Sequence, residues 1–327
     1  MGNKQSHENV ETEIDEAEEE MEVSPPSELE LRARQINPAE EDYPFENIVL
    51  EGGGSKGGAY CGVVRVLEEI GLYPQIKRVA GTSAGAITAA LIAAGYDSYE
   101  IEKFMKNDIS MNLMLDGSFP WRIAAYIPRL ISGYGLSGAS QFNQWMGEKL
   151  KEKAGSADVT FDQLYKISGK ELCIVVTNVN NMVEEYCHPK TTPDMPVRLA
   201  VRMSMSIPGL FQIVTYKSAF HLSSDTYVDG GILCNYPIHC FDGWWLSMKP
   251  EDAFIRRMKD LDQLPITLSN ENRFGRRSDK TLGIQVYSET ETDTYRFYLE
   301  KRAPLHVKPD SVLSRREYDD FYEKVSI

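Results

Sequence analysis

Two glycine-rich turns, each set between a strand-like apolar run and a helix-like run, constrain this chain more than any other feature. The first spans Gly52-Gly53-Gly54-Ser55-Lys56-Gly57-Gly58 and the second Gly81-Thr82-Ser83-Ala84-Gly85. Asn47 to Leu50 reads as a short buried strand entering the first turn. After that turn Tyr60, Val63, Val64, Leu67 and Ile70 recur at helical spacing, and Gly71 supplies the stop. Arg78-Val79-Ala80 predicts the strand that enters the second turn. Ala86 to Ala94 predicts a helix so uniformly small and apolar that it must be deeply packed, with Gly95 ending it. Strand, helix, strand, helix in this order implies parallel pairing with helical crossovers. The fold class expected is α/β, three-layer, with a mostly parallel central sheet covered by helices.

Ser83 sits between Gly81 and Gly85, on a turn leading from a predicted strand into a predicted helix. A serine on such an elbow presents its hydroxyl for nucleophilic attack, and its neighbours must be small for strand and helix to close up. Helix capping is the ordinary alternative for a serine here. Gly52, Gly53 and Gly54 can turn their N–H groups toward one point, where the oxygen of a tetrahedral intermediate would sit. Lys56 adds positive charge nearby or fixes the loop. Gly52, Gly54 and Gly57 also satisfy G-x-G-x-x-G, but the acidic residue that a dinucleotide site expects after the second strand is missing, and Glu68 and Glu69 fall inside the preceding helix. The two turns together point to acyl transfer and hydrolysis.

A nucleophilic serine needs a base. The histidines are His7, His188, His221, His239 and His306. His239 and His306 follow Asp229 in chain order, so a triad is formally open. Asp229 is better placed: it ends a strand, Thr226 to Asp229, and Gly230 and Gly231 after it allow a tight turn. From there a carboxylate could take the serine proton directly, although Asp-Gly is also an ordinary turn pair.

Charge divides the chain. Residues 1–44 hold fourteen acidic and three basic residues out of a total net charge of −14, so the remainder is nearly neutral. The composition predicts an acidic disordered tail over 1–44, with the globular part beginning near Phe45. No part carries the positive footprint of a nucleic-acid binder. The five cysteines, Cys61, Cys173, Cys187, Cys234 and Cys240, form no CxxC pair and no disulfide pattern, which fits a reducing, cytoplasmic setting. Cys187 with His188, and Cys234 near His239, are too few ligands for a structural zinc, and no metal is expected. The N-terminus is polar, with no signal peptide, and no run of eighteen apolar residues suggests a spanning helix. Met1-Gly2-Asn3-Lys4-Gln5-Ser6 fits the pattern for myristoylation at Gly2, which would give a marginal, peripheral membrane anchor.

Elsewhere, residues 107–155 are dense in apolar side chains, readable as core helices or as a lid or lipid-facing surface, with Gln141 to Lys149 an amphipathic helix. Glu171 to Thr177 is a central strand, paired through a turn at Asn180-Asn181 with a strand from Met182 to Cys187. Pro196 to Ser206 reads as a helix. Thr281 to Tyr287 and Tyr295 to Phe297 read as late strands, and Arg315 to Val325 as a last helix.

Four blocks, in order, carry a resemblance: Gly52-Gly53-Gly54-Ser55-Lys56-Gly57; Gly81-Thr82-Ser83-Ala84-Gly85; Met203 to Phe211, with Pro208 before Phe211; and Asp229-Gly230-Gly231 followed by Asn235-Tyr236-Pro237. Over about residues 45–245 the chain resembles the patatin-like phospholipases, which implies a catalytic domain over 45–245 with a C-terminal extension, 246–327, packed on it. The resemblance implies a Ser83–Asp229 dyad without a catalytic histidine, an oxyanion hole from Gly52, Gly53, Gly54 and Lys56, and calcium-independent phospholipase A or acyl-hydrolase activity with no cofactor. Its partners would be phospholipid or another acyl-ester lipid at a membrane surface, and a protein activator where the protein needs one. Neutral-lipid or lysophospholipid esterase, transacylase, and a silent lipid-binding protein are the alternatives. Met203 and Met205 are bulkier than the family's usual alanines and are expected to narrow or soften the site.

Overall fold

The computed structural model describes residues 43–109, 111–114, 135–217 and 224–287. Its centre is a seven-stranded sheet. The strands that build it are β1 (Asn47–Leu50), β2 (Arg78–Thr82), β4 (Glu171–Asn178), β5 (Val183–Cys187), β7 (Val214–Tyr216), β8 (Asp225–Asp229) and β9 (Thr281–Ile284). A separate two-stranded parallel sheet joins β3 (Gly135–Ser137) to β6 (Gly209–Phe211), a pairing the residue pattern does not announce.

The order is β7-β8-β4-β2-β1-β9, with β5 also on β4. The run β4-β2-β1-β9 is parallel throughout. The antiparallel strands β5 and β8 are both attached to the C-terminal half of β4, and β7 extends β8. The predicted α/β class with a mostly parallel sheet is what the chain adopts.

Both faces of the sheet are dry, which is why its central strands are continuous apolar runs rather than alternating ones. Ile48, Leu50, Val79, Leu172, Ile174 and Val176 belong to one core; Val49, Ala80, Cys173 and Val175 belong to the other, with Tyr186, Cys240, Phe241, Leu246 and Phe274. The first core is roofed by helices α1 (Tyr60–Glu69), α2 (Ala84–Ala94), α3 (Ser140–Ala154), α4 (Phe161–Ser168) and α5 (Val197–Ser204). Every residue of α2 is buried, because the helix lies against β1, β2 and β4 and is itself covered by α3, α4 and α5. Its lack of a polar face is the sequence signature of that position. Gly95, at φ 91°, closes it in the left-handed conformation. The second core is covered by the irregular stretch from Cys234 to Phe274 with its short helical turns, rather than by long helices.

Most predicted elements form with shifts of a few residues at their ends. Residues 246–287 contribute Leu246 and Phe274 to the second core and β9 to the sheet edge. In the apolar stretch 107–155, Met111–Met114 is helical and α3 covers the predicted amphipathic helix. Residues 115–134, the strand expected at Tyr295 to Phe297, the helix expected at Arg315 to Val325 and the acidic segment up to residue 42 lie outside the described residues. Among the described residues, no helix is long and apolar enough to cross a membrane.

Candidate active site

The site is assembled where two strands meet end to end on one edge of β4. Val175 pairs with Thr82 of β2 on one side and Tyr186 of β5 on the other. Val176, the next residue, pairs with Glu185 of β5 and Asp229 of β8. A strand has two edges, so β2 and β8 share the edge opposite β5 and point their C-terminal ends at each other. Ser83 leaves β2 at the level where Asp229 ends β8.

Between them the backbone has no room for side chains. A Cβ on Gly230 would overlap the Val175 carbonyl, and one on Gly85 would lie 2.5 Å from the Leu50 carbonyl oxygen. One on Gly81 would overlap the Gly85 carbonyl. Gly81, Gly85 and Gly230 therefore answer to backbone packing, as the elbow requires. Ser83 adopts φ 53° and ψ −119°, a conformation rare for a residue with a side chain. Such strain costs about 1–3 kcal/mol and persists where the surroundings over-determine it. Here α2 begins immediately afterwards, and the Ser83 carbonyl accepts its first bonds from the N–H groups of Ala86 and Ile87.

A serine inside the Met203 to Phe211 block, given no role by the sequence pattern, fixes the elbow. Ser204, at the end of α5, accepts the Ser83 N–H at 2.9 Å and donates its own proton to the Val175 carbonyl at 2.6 Å. Asp229 is held in a similar way: its N–H donates to the Ser206 carbonyl at 3.0 Å. The buried Arg202 braces this segment by donating to the Gly138 and Gln212 carbonyls and to the Ser206 hydroxyl. Met203 and Met205 are buried in the first core and do not line the cleft, so the expectation that they narrow the site is not met.

Ser83 and Asp229 open into a cleft of about 280 Å³ with Gly52, Gly53, Gly54, Lys56, Gly231 and Asn235 in its wall and the partly exposed Ile207 and Ile232 at its apolar side. Asp229 is 4% exposed. One carboxyl oxygen, Oδ1, accepts the Gly231 N–H at 2.7 Å. The other, Oδ2, is buried and makes no hydrogen bond of full geometry, while the Ser83 hydroxyl stands close enough to favour the ionised carboxylate. Burial outweighs both helpers and pushes the Asp229 pKa up to about 6. A buried carboxylate poised near neutrality beside a hydroxyl has the proton affinity a general base needs.

The three glycine amides are not equivalent. The Gly52 N–H donates to the Asn235 carbonyl at 3.0 Å, which removes it from the set expected to face an oxyanion. Among the described residues no hydrogen bond uses the N–H of Gly53 or Gly54, and Gly54 takes φ +56°. Asn235 closes the pairing by donating to the Gly52 carbonyl at 2.9 Å and to Glu51 Oε1 at 3.2 Å. Lys56 lines the cleft, and its charge also stabilises the Glu51 carboxylate.

His239, the alternative base that falls among the described residues, lies away from the cleft. His239 Nε2 shares a hydrogen bond of 2.7 Å with the Tyr186 hydroxyl, and its ring packs on Phe274. His188 is fully buried, with Nδ1 accepting the Lys190 N–H at 3.1 Å. Gly2, His221 and His306 lie outside the described residues.

The family model for patatin-like phospholipases matches residues 48–242, from β1 through the loop that follows Asp229. This chain belongs to that family. Its relatives include the uncharacterized protein YqhO of Bacillus subtilis, 37% identical, with the match covering 59% of this chain and 65% of that protein. The probable lipid hydrolase 463L of Invertebrate iridescent virus 6 is 27% identical, covering 59% of this chain and 62% of that protein. The chain thus spans just under two thirds of the length of these relatives. Among solved structures, VipD of Legionella pneumophila matches with a TM-score of 0.45 and 19% identity, covering 79% of this chain and 53% of that one. The patatin match takes in both glycine motifs, Ser204, Asp229 and Asn235; β9 lies beyond it.

Proposed function

We propose that this patatin-family chain is a calcium-independent acyl hydrolase of phospholipids, working through Ser83 and Asp229. The observation that carries this reading is the meeting of β2 and β8 on one edge of β4, which sets a strained serine against a buried carboxylate in one cleft. Asp229 takes the proton from Ser83 Oγ as that oxygen attacks an ester carbonyl carbon. The N–H groups of Gly53 and Gly54 stabilise the negative oxygen, with Lys56 adding positive charge. The intermediate collapses, the leaving alcohol takes the proton from Asp229, and an acyl-serine remains. Water then gives its proton to Asp229, attacks the acyl carbon, and releases the fatty acid as Ser83 recovers its proton. One carboxylate serves both half-reactions, so no cation is required.

The substrate class is supported by the family and by the apolar wall of Ile207 and Ile232, which suits an acyl chain. Myristate on Gly2 would add a weak, peripheral hold on the membrane. The test is fatty-acid release from mixed phospholipid vesicles in excess chelator, comparing the intact chain with Ser83→Ala and Asp229→Asn. Release by the intact chain alone is the expected result. Equal release by Asp229→Asn would overturn the dyad. Release from triglyceride or lysophospholipid but not from phospholipid vesicles would keep the dyad and change the substrate.

A further inference from the structure

Strand β9 and the two residues after it lie outside the family match, which ends at residue 242, yet they meet the glycine loop at three points. The Glu51 N–H donates to the Ile284 carbonyl at 3.1 Å, which fixes the end of β1 where the loop begins. The Val286 N–H donates to Glu51 Oε2 at 3.2 Å, and the Gln285 side chain also bonds that carboxylate. The Val286 side chain lies over Gly53 so closely that a Cβ there would overlap Val286 Cγ2.

The other Glu51 oxygen, Oε1, accepts from Asn235 Nδ2, the same group that holds the Gly52 carbonyl. One carboxylate therefore spans from the residues just after β9 to the loop following Asp229, with the glycine turn between. That loop also rests on β9: a Cβ on Gly283 would overlap the Tyr236 hydroxyl and Ile238 Cδ1. Glycines carry no side chain of their own to restrain a turn. Restraint must come from neighbours, and on this side the neighbour is Val286.

We propose that Val286, two residues beyond β9, is a positioning residue that, together with the Glu51 carboxylate, fixes the direction of the Gly53 and Gly54 N–H groups. The inference rests on the role given to those amides above. It assigns function to a stretch of chain beyond the family match.

The test compares Val286→Ala, Val286→Thr and, as a packing control on β9, Leu282→Ala, whose partly buried side chain packs against the first core. Two readouts are used: amide hydrogen exchange of residues 52–57, and steady-state hydrolysis of p-nitrophenyl butyrate. Val286→Ala is expected to speed exchange in the glycine turn and to lower kcat about tenfold with KM little changed, the order of loss that misplacing a stabilising group produces. Val286→Thr keeps the branched shape and restores both. Leu282→Ala lowers Tm without selective exchange in the turn. Unchanged exchange in Val286→Ala overturns the proposal. So does a loss of kcat and protection that Leu282→Ala reproduces at equal loss of Tm. A wild-type chain that hydrolyses no ester would remove the proposed function, and exchange alone would then decide this inference.

Discussion

The Ser204 hydroxyl accepts the Ser83 N–H at 2.9 Å across a sequence separation of 121 residues, and donates a hydrogen bond of its own to the Val175 carbonyl. The strained elbow is thus tied both to α5 and to the strand that carries the carboxylate's partner. Replacing Ser204 by Ala leaves a buried N–H and a buried carbonyl unpaired, at a cost of about 1–3 kcal/mol for each such group. Ser204→Ala is expected to lower stability by that order and to slow fluorophosphonate labelling of Ser83 about tenfold or more. Urea denaturation and labelling kinetics measure the two effects separately.

Activity should follow the ionisation of Asp229. With its pKa pushed up to about 6 by burial, the carboxylate is protonated below that value and cannot accept the Ser83 proton. The expected profile of kcat/KM rises with pH, with a midpoint near 6, and is flat above about 7.5. Hydrolysis of a soluble ester between pH 4.5 and 9 checks this. A profile still rising above pH 8 would contradict it.

The same shift predicts that Asp229 destabilises the fold at neutral pH. Its pKa rises on folding from 3.8 to about 6, so the native state favours the protonated form. Relative stability is greatest below pH 3.8, falls as pH climbs through 6, and stays low above it. A shift of two units corresponds to on the order of 3 kcal/mol. Asp229→Asn should therefore be more stable than the wild type at pH 7.5 by roughly that amount, with the gap closing toward pH 4. Denaturant titrations at both pH values would measure it, and an equally large gap at pH 4 would contradict the burial argument.

Asn235 allows a sharper contrast. Its side-chain N–H₂ donates to two acceptors, the Glu51 carboxylate and the Gly52 carbonyl. Asn235→Ala removes the donor, while Asn235→Asp sets a third acceptor, and a second negative charge, against them. Asn235→Asp should be the worse enzyme of the two, with kcat down about 100-fold, although it differs less in shape. Steady-state kinetics of both variants against Tm distinguish this electrostatic effect from loss of fold.

Local demands on the backbone were readable in the sequence. Asn47 to Leu50, Glu171 to Thr177 and the small apolar helix after Ser83 are apolar runs whose length and composition fit a sheet buried on both faces. Gly81 and Gly85 mark a turn where strand and helix backbones touch, so their identity is set at the turn itself. The strands β3, β6 and β7, each three residues long, carry no periodic pattern and were not legible.

What the sequence determined by itself was therefore each turn and the elements on either side of it, since those depend on neighbours along the chain. The tertiary structure decided which turns share a cleft. It set Asp229 beside Ser83 and His239 against Tyr186, although chain order left both open. It bound the Gly52 amide to Asn235 and, among the described residues, left those of Gly53 and Gly54 without a hydrogen bond. It also brought Val286 to Glu51 across 235 residues. Such pairings arise from strand order and register, which a linear pattern of residue types does not encode.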